Sequence, residues 1–154
     1  VSPPGAARSW RLAGALGLLV VALDQGAKAL IESNLVPGEQ ISVLGPLSLT
    51  LAHNDGVAFG LASGGGTALI ALTLIALGFV ASLFARHPTR PGIWVAVGLL
   101  AGGALGNLID RVRTGAVTDY VDLLSWPPFN LADVAITLGV IVLALSYFAE
   151  EERR

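Results

Sequence analysis

The sequence predicts an all-α integral membrane protein of four transmembrane helices, with a small extracytoplasmic β-element between helices one and two. Three observations carry this prediction. Of 154 residues, 54% are hydrophobic and 13% are charged, about half the charged share of an ordinary soluble domain. The apolar residues gather in four runs, each close to the ~20 residues that cross a bilayer. The segment between the first two runs alternates apolar and polar residues, as short strands do. The length suits one membrane-embedded domain over 1–154.

Helix one is expected over about 12–31, interrupted by Asp24, Gln25 and Lys28. It runs into Asp24-Gln25-Gly26-Ala27-Lys28 and not into a small-x-small cleavage site, so it reads as a retained span. The loop 36–61 follows, punctuated by Pro37, Gly38, Gly45 and Pro46, with strand-like Ile41–Leu44 and Leu47–Leu51. Gly64-Gly65-Gly66 reads as a linker into helix two, about 67–85, which carries no charge. Helix three spans about 93–109 and is expected to stop at Asp110-Arg111. A last loop, 112–129, leads through Pro127-Pro128 into helix four, about 131–148, with Asp133 in its first turn.

Charge sets the expected orientation. Arg8, Arg11, Arg86, Arg90, Arg153 and Arg154 fall on one side, which the positive-inside rule makes cytoplasmic. Both termini then lie inside, and the β-element, Asp119 and the start of helix four face outward. Arg111 and Arg113 are the local exception.

Composition also excludes chemistries. There is no cysteine, which removes thiol catalysis, disulfides and zinc–thiolate sites. No basic run could track nucleic acid. His53 and His87 are the two histidines, with no His-Glu-x-x-His motif and no serine in a nucleophile-elbow context. No metal or cofactor is expected. Asp, Asn and Arg remain at the outer face.

These polar residues form short constellations. Asp24 and Lys28, four apart, share a helix face and read either as a structural ion pair or as one wall of a site. Asn54-Asp55-Gly56 is ordinary turn chemistry, although an Asn amide can also hold a peptide backbone. Asn107 faces Asp110 and Arg111 by helical spacing, as a helix stop or as part of a larger cluster. Asn130 with Asp133 three residues on is a helix cap, compatible with catalysis because a helix N-terminus favours an ionised carboxylate. Asp119 and Asp122 are loop acids, and Asp119 sits in the more apolar stretch.

Asp119 and Asp133 stand out. Ionisable groups at membrane depth are costly and suggest function. Two carboxylates sharing a site do not both ionise easily, so one can activate water while the other donates a proton. That chemistry suits amide hydrolysis without a cofactor.

At this point the chain resembles the lipoprotein signal peptidases (signal peptidase II), a bacterial aspartyl peptidase family. The resemblance rests on five ordered blocks: Asp24-Gln25-x-x-Lys28, Asn54-x-Gly56-x-Ala58-Phe59-Gly60, Gly106-Asn107-x-x-Asp110-Arg111, Val117-x-Asp119-Tyr120-x-Asp122 and Phe129-Asn130-x-Ala132-Asp133-x-x-Ile136. It implies a catalytic pair at Asp119 and Asp133. It implies substrate binding at Asn54, Gly56, Asn107, Arg111 and Asn130, with Asp24, Lys28 and Asp110 as support. The implied substrate is a prolipoprotein bearing a diacylglyceryl-cysteine, cleaved just before that cysteine at the outer face of the inner membrane. Membrane lipid and globomycin-like inhibitors are the further partners implied, and the protein is expected to be a monomer. The alternative is a small proton- or cation-coupled transporter, since intramembrane Asp and Asn also line ion paths.

Overall fold

The structure, a computed structural model, describes residues 5–56, 65–124 and 126–151. In chain order the elements are α1 (Ala6–Asn34), β1 (Gln40–Leu44), β2 (Leu47–Asn54), α2 (Gly65–Arg86), α3 (Ile93–Thr114), β3 (Val117–Leu123), β4 (Trp126–Phe129) and α4 (Leu131–Glu151). Four helices among the described residues are long and apolar enough to cross a membrane. Their outer faces leave Leu18, Leu30, Ile75, Phe79 and Leu145 exposed, as surfaces solvated by lipid do.

α3 lies at the centre, packed against α1 on one side and α4 on the other. Small residues allow the close approach. A Cβ on Gly102 would sit 2.8 Å from the Gly17 carbonyl of α1, and one on Gly103 would sit 2.5 Å from the Ala132 carbonyl of α4. Two apolar clusters frame the bundle. Ala13, Phe84, Ile93 and Val97 close one end, while Ile31, Leu35, Leu51 and Tyr120 seat the sheet on the other.

Helix limits differ from those the sequence predicts. α1 begins at Ala6, taking in Arg8 and Arg11, whose long side chains can reach water from a membrane edge. α3 continues through Asp110 and Arg111 to Thr114 and stops at Gly115, at φ 83°. Charges do not end a helix when partners receive them, whereas a left-handed glycine does. Gly65 opens α2, and Ala58-Phe59-Gly60 and Gly64 lie outside the described residues.

The β-element is larger than the sequence indicates. β1 and β2 form the expected hairpin, and the last loop adds β3 and β4 to give one antiparallel sheet in the order β1-β2-β3-β4. Pro127-Pro128 therefore lie within β4 and do not open α4. An edge strand tolerates proline because one side of it needs no ladder donors.

Candidate active site

The site begins with a buried cation. Asp24 and Lys28 share one face of α1, at 0% and 2% exposure. Lys28 Nζ lies 2.7 Å from Asp24 Oδ2 and 2.6 Å from Asp110 Oδ2 of α3, and donates to Asn107 Oδ1 at 3.1 Å. Three acceptors meet three ammonium hydrogens, which offsets the cost of burying the charge. Asp110 thus turns to Lys28 of α1, as part of a larger cluster and not as a helix stop. Gln25 Nε2 donates to Asp110 Oδ1 at 2.8 Å and to the Gly106 carbonyl at 3.2 Å. Gly106 is required there, because a Cβ would stand 2.6 Å from Asp24 Oδ2.

The start of α4 is held from three directions. Asn130 and Asp133 cap each other: Asp133 N–H donates to Asn130 Oδ1 at 3.0 Å, and Asn130 N–H to Asp133 Oδ2 at 3.2 Å. Ala132 N–H donates to Asp24 Oδ1 at 3.0 Å, and Leu131 N–H to the Tyr120 hydroxyl at 3.2 Å. N–H groups that a helix start leaves without partners are thereby satisfied by α1, β3 and the cap itself. Asp133 is fixed relative to both.

Asp119 arrives on β3, whose residues pair with β2 at Ala52↔Asp119 and Asn54↔Val117. It is 3% exposed. Asn130 Nδ2 donates to its Oδ1 at 2.6 Å and Asn54 Nδ2 to its Oδ2 at 3.1 Å. Asn54 is itself held in an Asx turn by the Gly56 N–H, 3.1 Å from its Oδ1. Burial raises the Asp119 carboxyl from 3.8 to about 6, with a further upward push from the Asp133 charge, while the Asn54 and Asn130 hydrogen bonds act against it.

One side chain joins the two acids. Asn130, fully buried, reaches Asp119 through Nδ2 and Asp133 through Oδ1. Asn107 extends the link, donating to Asp133 Oδ1 at 2.8 Å and accepting from Asn130 Nδ2 at 3.1 Å. The amides of Asn107 and Asn130 are thus engaged by protein groups, a placement that ties the carboxylates together. Asn130 is buried among these partners, whereas Asn107 also lines a groove between the helices. Asn54 is exposed and Arg111 half-buried, so these two are the accessible polar groups of the set. The charges of Asp133, Asp119 and Asp110 all act on Arg111. A groove of about 310 Å³ between α2, α3 and α4 leads past Leu72, Thr73 and Ile136 to Asn107 and Arg111.

All ten site residues expected from the sequence lie among the described residues, and Asp122 lies apart, accepting from Gln40 Nε2 in the sheet. Gln25, Tyr120 and Gly106 stand in the ordered blocks of the sequence, but sequence reasoning gave them no part in the site. A glutamine beside an aspartate in an apolar helix is costly enough to have marked Gln25. For Tyr120 and Gly106 the contacts that give them a part, with the Leu131 N–H and with Asp24, are long-range.

Fold and site together define a multi-pass membrane protein with a linked pair of carboxylates toward one end of its helices. The family model described as Signal peptidase (SPase) II matches residues 16–149. A lipoprotein signal peptidase of Moorella thermoacetica is 46% identical over 130 residues, covering 83% of this chain and 87% of the relative. One from Brucella ovis is 43% identical over 139 residues, covering 85% and 86%. A solved bacterial membrane enzyme structure obtained by the in meso method superposes with a TM-score of 0.83 at 33% identity, covering 95% of this chain and 96% of the other. The chain belongs to the signal peptidase II family and is a multi-pass bacterial membrane peptidase.

Proposed function

We propose that this protein removes the signal peptide from diacylglyceryl-modified prolipoproteins by aspartic catalysis, cleaving just before the lipid-modified cysteine. The observation that carries the mechanism is the unequal environment of two linked acids. Asp119 is buried and raised to about 6, so it keeps a proton much closer to neutral pH than an ordinary aspartate does. Asp133 accepts from Asn107 Nδ2 and from the Asn130 N–H at a helix start, so its two oxygens are held in a fixed position from which one can take a proton from water. The raised carboxyl of Asp119 assigns it the part of acid and leaves Asp133 the part of base.

In this reading Asp133 takes a proton from a water set between the pair, and that water attacks the scissile carbonyl. Asp119 gives its proton to the carbonyl oxygen as the tetrahedral intermediate forms. Asp133 then passes its newly gained proton to the leaving amine, and Asp119 recovers its own as the carbonyl re-forms. Asn54 and Arg111 hold the peptide beside the acids, and Gly56 shapes the turn that presents Asn54. Asn107 and Asn130 position the carboxylates; Asp24, Lys28 and Asp110 brace them. The basic residues near the ends of α1, α2 and α4 support cytoplasmic termini and a site at the extracytoplasmic face. We place the protein in the inner membrane as a monomer, open to globomycin-like cyclic peptides at the same site. Transport is not favoured, because the polar cluster gathers toward one end of unbroken helices.

The test uses purified protein in proteoliposomes with a prolipoprotein, with and without its diacylglyceryl group. Mass spectrometry should find a product beginning at the lipid-modified cysteine, formed only from the modified precursor. Cleavage at another bond, or equal cleavage of the unmodified precursor, overturns the assignment.

A further inference from the structure

The end of the sheet away from the Asn54–Val117 pairing is apolar and open. Register sets Leu47 across from Leu123, and Leu123 across from Trp126. The β1–β2 turn brings Leu44 to the same end, where the Leu124 N–H donates to the Pro46 carbonyl at 3.4 Å. Leu44, Leu124 and Trp126 are 78%, 75% and 68% exposed. Hairpin turns that face water favour Gly, Asn and Asp, and three large apolar side chains at two adjoining turns make an interaction patch. Leu124 also has a positive φ of 55°. Glycine or asparagine is at ease in that region and leucine is not.

Position decides what covers the patch. Trp126 and Phe129 border a cleft of about 240 Å³ with Asp133, Val134, Thr137 and Leu138 of α4, so the cleft runs from the edge of the candidate site outward along the helix. Leu138 lies about 10 Å along the helix from its first residue, at 1.5 Å per residue. The sheet end is therefore folded down beside the second turn of a membrane-spanning helix. It continues the exposed apolar face of that helix, which includes Leu138, Ile141 and Leu145.

We propose that the Leu44, Leu124 and Trp126 tip is a membrane anchor, inserted into the lipid leaflet on the site side of the bundle. Trp126 sits where its ring meets acyl chains and its indole N–H meets headgroups. Leu123 and Asp119 share strand β3, so anchoring this end fixes the depth at which Asp119 lies. The inference needs the spanning fold alone and is independent of the peptide chemistry above.

The chain has no cysteine, so Leu44→Cys, Leu124→Cys and Glu39→Cys each create one labelling position, Glu39 being exposed in the turn before β1. Nitroxide labels are read in phospholipid nanodiscs without precursor. Labels at 44 and 124 should relax several-fold more with oxygen than with a water-soluble nickel chelate, and the label at 39 should show the reverse. Equal nickel access at all three positions overturns the anchor. So does protection from both reagents that grows with protein concentration, which would mean that a second copy covers the patch. If a cysteine variant misfolds, Trp10→Phe/Trp94→Phe leaves Trp126 as the one tryptophan. Its emission should then be quenched by shallow brominated lipids and spared by iodide; the opposite pattern refutes the proposal.

Discussion

Replacing Asp119 with asparagine should change the sign of its effect on stability between acidic and neutral pH. A carboxyl raised on folding from 3.8 to about 6 binds its proton more tightly in the folded state. Its stabilising contribution is fully present below 3.8 and is lost as pH rises through about 6. At about 1.4 kcal/mol per pH unit the interval corresponds to roughly 3 kcal/mol, and the polar amides around Asp119, which raise the effective dielectric, bring this to about 2 kcal/mol. Asparagine never ionises, so it escapes that loss. It does place an NH₂ group against a donor from Asn54 or Asn130, at about 1 kcal/mol for one mismatched hydrogen bond. Asp119→Asn should therefore be about 1 kcal/mol less stable than the wild type at pH 4 and about 1 kcal/mol more stable at pH 7.5. At 2–4 °C per kcal/mol for a chain of this size, the difference in Tm should swing by roughly 4–8 °C. Tryptophan-fluorescence melting in detergent across that range reads it directly. A Tm difference that does not change with pH refutes a raised Asp119.

Three further substitutions probe the frame around the acids. Asn54→Ala removes a hydrogen bond that favours ionised Asp119, so the alkaline limb of the kcat/KM profile should move to higher pH; a limb that stays in place contradicts the assignment of Asp119 as the proton holder. Lys28→Met strands Asp24 and Asp110 in the interior and should cost about 3–5 kcal/mol, seen as a collapse of Tm that a further Asp110→Asn change partly restores. Gly106→Ala pushes Asp24 off the Ala132 N–H and should lower both Tm and kcat. An alanine variant with wild-type turnover would show that the α4 start does not depend on Asp24.

Much of this was legible in the sequence, for identifiable reasons. Membrane spans declare themselves because lipid demands long uninterrupted apolar runs, and α2, without charges, is plainest. The Asn130–Asp133 cap is local, so spacing alone revealed it. β3 and β4 were not legible, because Val117–Leu123 gains its ladder from β2, some 65 residues away in sequence, and Pro127-Pro128 argued for a turn. The end of α3 was misplaced because Asp110 looks like a stop until Lys28 and Gln25 receive it. The links through Asn107 and Asn130 depend on α3, the start of α4 and strand β3 meeting, which no window of sequence contains.

The central claim is that Asp119 and Asp133 work as one unit on a single water. Single-turnover cleavage of a diacylglyceryl-modified precursor by Asp119→Asn, Asp133→Asn and the double variant, each verified as folded by its melting curve, tests it most directly. Residues that act together lose nearly everything in the first replacement. Each single variant should fall by at least ~10³-fold, with the double variant hardly slower than either. Normal turnover by either single variant, or losses that multiply in the double variant, would contradict the account.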